Sequence, residues 1–272
     1  MNPLVNLGTK AARGAGNLII RYIDQLHRLN VEKKGQHDFV SEVDRMAEEY
    51  IIEVIQKAYP DHRIVAEESG SEHSSAQAQQ NPEEFEWIID PLDGTTNFLH
   101  GHPDFCVSIG IRHKGEMSHG IIFDPLRNDI FTASRGQGAQ LNGKRIRVSG
   151  QSHLQDSLVS VGYPARNLPN RQAWLKCFNE VIKNSASIRH TGSAALDLIS
   201  VACGRTDAFW EPSLKIWDVA AGSLIVREAK GLVSDFNGEQ GFMESGNIVC
   251  ATPKIFTQLL SILKTHLGQT EK

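Results

Sequence analysis

The chain has 272 residues, 40% of them hydrophobic, enough for a large buried core and an expectation of one or two domains. Its formal charge of −4 excludes the global basic footprint of a nucleic-acid binder, so no direct nucleic-acid binding is expected. No stretch approaches the roughly eighteen uninterrupted apolar residues of a membrane span, and the opening Met1-Asn2-Pro3 lacks the cationic and apolar runs of a secretory signal. Cys106, Cys177, Cys203 and Cys250 form no CxxC pair and lie among apolar residues. They read as buried free thiols of a reducing, cytoplasmic compartment.

Asn2 and Pro3 form a helix start, a capping side chain followed by a first-turn proline. Apolar residues recur at helical spacing through Leu4, Leu7, Ala11, Ala15, Leu18, Ile19, Tyr22 and Leu26. A polar, mobile connection over residues 32–38 is expected next. A second helix begins near Ser41, with Asp44 in its first turn and Pro60 after its end. Strand-like runs follow at Arg63–Ala66, Trp87–Ile89, Cys106–Arg112, His119–Phe123 and Ile130–Ala133, with a polar loop over Ser71–Asn81. Asn142-Gly143 signals a hairpin between Ala139–Leu141 and Arg145–Val148. Beyond about residue 150, strands at Leu158–Val161, Ile188–His190, Ala208–Trp210 and Ile248–Ala251 alternate with helices over Arg171–Lys183, Ala194–Ala202, Asp218–Ala229 and from Pro253. This alternation predicts a layered α/β architecture with no linker long enough to separate independent domains.

The chemistry concentrates where apolar strands run into carboxylates. Trp87-Ile88-Ile89-Asp90-Pro91-Leu92-Asp93-Gly94-Thr95-Thr96 ends a strand in two acids, a glycine and two hydroxyls. Asp-Pro-x-Asp is also ordinary turn chemistry. Strand ends are nevertheless where open α/β folds place ligands; Pro91 fixes the backbone, and Thr95-Thr96 can open a short helix whose N–H groups suit phosphate. Ile64-Val65-Ala66-Glu67-Glu68-Ser69 is a second strand running into acids, and Trp217-Asp218-Val219-Ala220-Ala221-Gly222 puts an aspartate at the start of an apolar helix, where capping alone would account for it. Oxygen-only ligands suit a hard cation such as Mg²⁺. The pair His100 and His102 reads as loop rather than metal site.

Glu67-Glu68-Ser69, Asp90-Pro91-Leu92-Asp93-Gly94-Thr95-Thr96 and Trp217-Asp218-Val219-Ala220-Ala221-Gly222 resemble, in order and spacing, the three signature motifs of the inositol monophosphatase family. Gly136-Gln137-Gly138-Ala139 and Gly192-Ser193-Ala194-Ala195 are similar to secondary patterns of its bacterial branch. The resemblance implies an αβαβα sandwich over residues 1–272 as a single domain, with most metal ligands in 1–150 and Asp218 with the sugar-side residues in 151–272. It implies Mg²⁺-dependent hydrolysis of a small phosphate monoester such as myo-inositol monophosphate, inhibition by Li⁺, and a homodimer.

By the same resemblance, Glu67, Asp90 and the Leu92 carbonyl hold one Mg²⁺, and Asp90, Asp93 and Asp218 a second. A weaker third ion sits beside Glu67, near Lys33. Thr95 and Glu67 orient the attacking water, Gly94 and Thr95 hold phosphate oxygens, and Asp44 stands at the site's edge. Glu211 meets a sugar hydroxyl, with Gly192, Ser193 and Ala194 lining the same side. Trp210 and Trp217 read as core packing. Fructose 1,6-bisphosphate, 3′-phosphoadenosine phosphate and histidinol phosphate remain open as substrates. So does a different role, because bacterial members are associated with the transcription machinery in ribosomal RNA antitermination. Arg135, Lys144, Arg145 and Arg147 are the basic residues a protein partner would meet.

Overall fold

A computed structural model describes residues 2–28, 31–35, 38–70, 85–163 and 171–268, with no side-chain description for 27–28, 31–35 and 38–41. The loop expected over Ser71–Asn81 lies outside the described residues.

The first layer is a pair of helices, α1 (Pro3–Tyr22) and α2 (Glu42–Ala58). Asn2 caps α1 by accepting from Leu4 N at 2.8 Å. Leu4, Ala11, Ala15 and Ile19 of α1 pack with Val43, Ala47, Ile51 and Ile55 of α2 over one face of a seven-stranded sheet. A 3₁₀ turn, Ile23–Arg28, extends α1, and the connection expected to be mobile is in fact an antiparallel pair, β1 (Val31–Gly35) and β2 (Asp38–Ser41). The run of charged residues in β1 and the shortness of β2 hid it, because neither shows an apolar alternation.

The large sheet is ordered β3-β4-β5-β6-β7-β8-β9: β3 (Arg63–Ala66), β4 (Phe85–Asp93), β5 (Cys106–His113), β6 (Glu116–Asp124), β7 (Asp129–Ser134), β8 (Gly138–Leu141) and β9 (Lys144–Arg145). Only β3 and β4 run parallel; the rest form a meander. The hairpin at Asn142-Gly143 forms as expected, though β9 stops at Arg145 rather than Val148. A short helix, α3 (Thr95–Leu99), follows β4 directly.

The small sheet is ordered β11-β10-β12-β14-β13: β10 (Leu158–Val161), β11 (Ser187–Arg189), β12 (Ala208–Glu211), β13 (Leu232–Ser234) and β14 (Ile248–Ala251). Between the sheets lie α5 (Ala194–Ala202) and α6 (Ile216–Glu228). Val219 to Val226 of α6 are buried all round, as a helix covered on both sides must be. Outside the small sheet pack α4 (Arg171–Lys183) and α8 (Pro253–Leu267), while α7 (Phe242–Ser245) is a single turn. The result is the expected layered αβαβα sandwich. Of the cysteines, Cys106, Cys177 and Cys250 are buried free thiols, whereas Cys203 is only half-buried. No described helix is long and apolar enough to cross a membrane.

Two glycines set the height of α6 above the large sheet. Gly110 and Gly120 are register partners on β5 and β6. A Cβ on Gly120 would lie 2.6 Å from the Ala221 carbonyl oxygen, and one on Gly110 3.0 Å from the Ala220 Cβ. Glycine within a strand here marks close approach of another backbone. Gly120→Ala must lift the helix, since the clash falls on backbone; a loss of about 1–3 kcal/mol is expected in urea denaturation. Gly150→Ala, into open space, is the control and stays within about 0.5 kcal/mol.

Candidate active site

The seam between the large sheet and the two central helices gathers the acids. Asp90 and Asp93 come from β4. Their partners on β5 are Ser108 and Cys106, so Pro91 and Leu92 bulge where only Val107 stands opposite. The bulge puts both aspartates at the same end of the strand, and Leu92 N donates to Asp90 Oδ1 at 3.0 Å. Gly94 then turns with φ +96°, and a Cβ there would sit 2.8 Å from the Asp104 carbonyl oxygen. Glycine is required on both counts.

Asp218 arrives from α6. It occupies the third helical position, not the cap, and its Oδ2 accepts from Lys215 N at 2.7 Å. Carboxylate oxygens of Asp90, Asp93 and Asp218 lie within 4.8 Å of one another. Glu67 stands outside this trio, yet it is the largest charge acting on Asp90. Burial first, then Glu67, Asp93 and Asp218, push the Asp90 carboxyl well above the usual range. Asp93 is raised by burial alone and held down by the bonds it accepts. Those come from Ser193 Oγ at 2.6 Å and Ala195 N at 2.7 Å, both at the start of α5, where backbone N–H groups favour an anion. Three acids so close, one buried and two half-buried, repel one another, and a divalent cation removes that repulsion; the all-oxygen set suits Mg²⁺ or a similar hard ion.

Thr95 Oγ1 lies 2.8 Å from Asp44 Oδ1 and 3.0 Å from the Leu92 carbonyl oxygen, donating its single proton to one of them. Asp44 is fully buried on α2. One turn further along, Glu48 is 3% exposed and accepts from Glu68 N and Ser69 N, each at 2.9 Å. It clamps the turn that presents Glu67, and sequence reasoning missed it. The signal was there: Asp44 and Glu48 put two acids on the helix face that buries Val43, Ala47 and Ile51.

On the small-sheet side, Glu211 ends β12, and its carboxyl is raised well above its ordinary value by burial and by Asp197, Asp218 and Asp93. The loop 191–193 leads into α5. Gly192 is exposed at φ +80°; Ser193 and Ala194 are buried, with the Ser193 hydroxyl already committed to Asp93. Asn97 Nδ2 fixes this loop by donating to Thr191 O at 2.7 Å and Asp104 O at 2.6 Å. Asp197, not singled out in the sequence, accepts from Thr191 Oγ1 at 2.9 Å. His100 and His102 bond or pair locally, with Thr96 O and Asp104, and do not join the acids. Trp210 is core, whereas Trp217 is half-buried. The Lys33 side chain lies outside the described residues; its backbone is on β1.

Carboxylates gathered at strand and helix ends between two sheets define a site able to hold a divalent cation. The family model that matches residues 1–267 is that of the inositol monophosphatase family, and the chain belongs to that family. It is 47% identical to the Nus factor SuhB of Pseudomonas aeruginosa, across the whole of both chains. Its fold is similar to the extragenic suppressor protein suhB of Bartonella henselae (TM-score 0.92, 39% identity, 98% of this chain and 100% of that one). It is similar also to the inositol monophosphatase of Anabaena (TM-score 0.83, 33% identity, 97% of each).

The buried acids give stability a pH slope. Burial pushes Asp197 up to about 7 from an ordinary 3.8. Between those values the folded chain holds a proton that the unfolded chain has shed, so stability falls as pH rises from about 4 to about 7 and levels off above. The full span is worth roughly 4 kcal/mol. In EDTA, urea denaturation between pH 4 and 8 should give Asp197→Asn a shallower slope than the native chain, with its largest relative gain above pH 7. Equal slopes would contradict this.

Proposed function

We propose that this chain is a Mg²⁺-dependent phosphatase that hydrolyses inositol monophosphate to inositol and phosphate. The observation that carries the reading is the trio Asp90, Asp93 and Asp218, within 4.8 Å of one another, in a chain of this family. Glu67, Asp90 and the Leu92 carbonyl would hold one ion, and Asp90, Asp93 and Asp218 a second. Beside Glu67, near Lys33, a third would be held weakly. Bound Mg²⁺ supplies a lowered water pKa and a counter-charge for the phosphoryl and leaving oxygens.

The chain's own residues do the rest. Thr95 has one hydroxyl proton, already given to Asp44 or to the Leu92 carbonyl. Toward the substrate it therefore offers lone pairs, which accept a hydrogen bond from an O–H of the attacking water and, with Glu67, set its direction. Gly94 and Thr95 direct backbone N–H groups at phosphate oxygens. Glu211 takes a hydroxyl of the inositol ring, and Gly192, Ser193 and Ala194 line that side. Residues 1–150 and 151–272 act as one domain in this reading, because neither half alone carries both Asp90 and Asp218. A cytoplasmic homodimer, inhibited by Li⁺, completes it.

Phosphate release from myo-inositol 1-phosphate is expected to require Mg²⁺, to stop in EDTA and to fall with Li⁺. Asp93→Asn and Asp218→Asn should each retain less than about a tenth of native turnover with an unchanged fold. Turnover that persists in EDTA would sink the reading.

A second reading rests on the relatives that carry the name Nus factor: contact with the transcription machinery. Lys144, Arg145 and Arg147 are exposed around β9, available to an acidic partner, while Arg135 is paired with Glu116. In cells lacking the native gene, Asp93→Asn restores growth if binding is the main role; failure to restore it favours catalysis.

A further inference from the structure

Gly162 follows β10, and its N–H donates to the Trp210 carbonyl oxygen at 3.0 Å, so it lies beside Glu211 at the end of the small sheet. Its φ is not in the left-handed region, so backbone conformation does not demand glycine. Space does. A Cβ at position 162 would stand 1.8 Å from both Cδ and Oε2 of Glu211 and 2.4 Å from its Cγ. The Glu211 carboxylate thus rests against the bare Cα of Gly162, and the acids that act on it are Asp197, Asp218 and Asp93. That clash falls on the end of a flexible side chain rather than on backbone. An added methyl is therefore relieved by turning Glu211 out of its seat, with the strands left in place.

We propose that Gly162 is a positioning residue for substrate selection: by lacking a side chain, it seats the Glu211 carboxylate where it meets the hydroxyls of a polyol phosphate. This rests on the reading of Glu211 as the hydroxyl contact. Gly162 touches no substrate and acts only through Glu211. The chemistry it selects is a phosphate monoester whose leaving group carries neighbouring alcohol hydroxyls.

The test compares kcat and KM for myo-inositol 1-phosphate with those for p-nitrophenyl phosphate, which has no alcohol hydroxyls. Gly162→Ala is expected to lower the ratio of the two kcat/KM values about tenfold, mainly through KM for the inositol ester, as loss of a hydrogen bond to a charged group would. Glu211→Gln should do the same, and the double variant no more than Glu211→Gln alone. Shortening the acid makes room for the methyl, so Gly162→Ala with Glu211→Asp should recover part of the ratio; a merely structural defect at 162 would not be rescued. If Gly162→Ala folds poorly, the proposal requires that Glu211→Asp restore its folded yield, and failure to do so overturns it. If Glu211→Gln lowers the ratio and Gly162→Ala does not, the role of Gly162 falls while that of Glu211 stands. If Glu211→Gln leaves the ratio unchanged, both fall.

Discussion

Asp90 is 1% exposed and has Glu67, Asp93 and Asp218 for neighbours. Removing a carboxylate from water is costly, and adding like charges around it is costlier still. The fold nonetheless brings these acids together from β4, the turn after β3 and the first turn of α6, elements that share no local sequence. Such a cluster persists only because the surrounding structure enforces it. The bulge at Pro91-Leu92 aims two acids at one end of the strand, and the glycine patch at Gly110 and Gly120 brings α6, and with it Asp218, down onto the sheet. The start of α5 then fixes Asp93 through Ser193 and Ala195.

The same constraint accounts for the buried acids around the cluster. Glu48 holds the Glu67 turn by two backbone N–H groups. Asp44 takes the Thr95 proton or leaves it to the Leu92 carbonyl. Asp197 and Asn97 tie down the loop 191–193 at the start of α5. Each of these polar groups is buried or half-buried and hydrogen-bonded, so together they convert a repulsive cluster into a rigid one. A preorganised set of oxygens is what a strongly hydrated ion such as Mg²⁺ requires before it sheds water.

Much of this was legible in the sequence, and for physical reasons. Apolar runs that stop at Glu67 and Asp90 mark strand ends, and a layered fold follows from their alternation with helices. The helix of Asp218 begins at Ile216, two residues before the start expected from the sequence, so Asp218 is third in the helix rather than first; helix ends are blurred by capping. The β1–β2 pair stayed hidden because β1 is mostly polar and the four residues of β2 are too few to show a period. Asp197 was missed because it is a lone acid in an apolar helix, and Glu48 although Asp44 shares its buried face; only the third dimension shows which backbone or hydroxyl each serves. The seat of Glu211 on Gly162 joins residues far apart in sequence, and no spacing rule reaches it.

The most direct measurement is anomalous diffraction from crystals equilibrated with Mn²⁺ as a stand-in for Mg²⁺. The account predicts density peaks among Asp90, Asp93 and Asp218, with their carboxylate oxygens as ligands. A cluster without metal in crystals that still hydrolyse substrate under the same Mn²⁺ would contradict it.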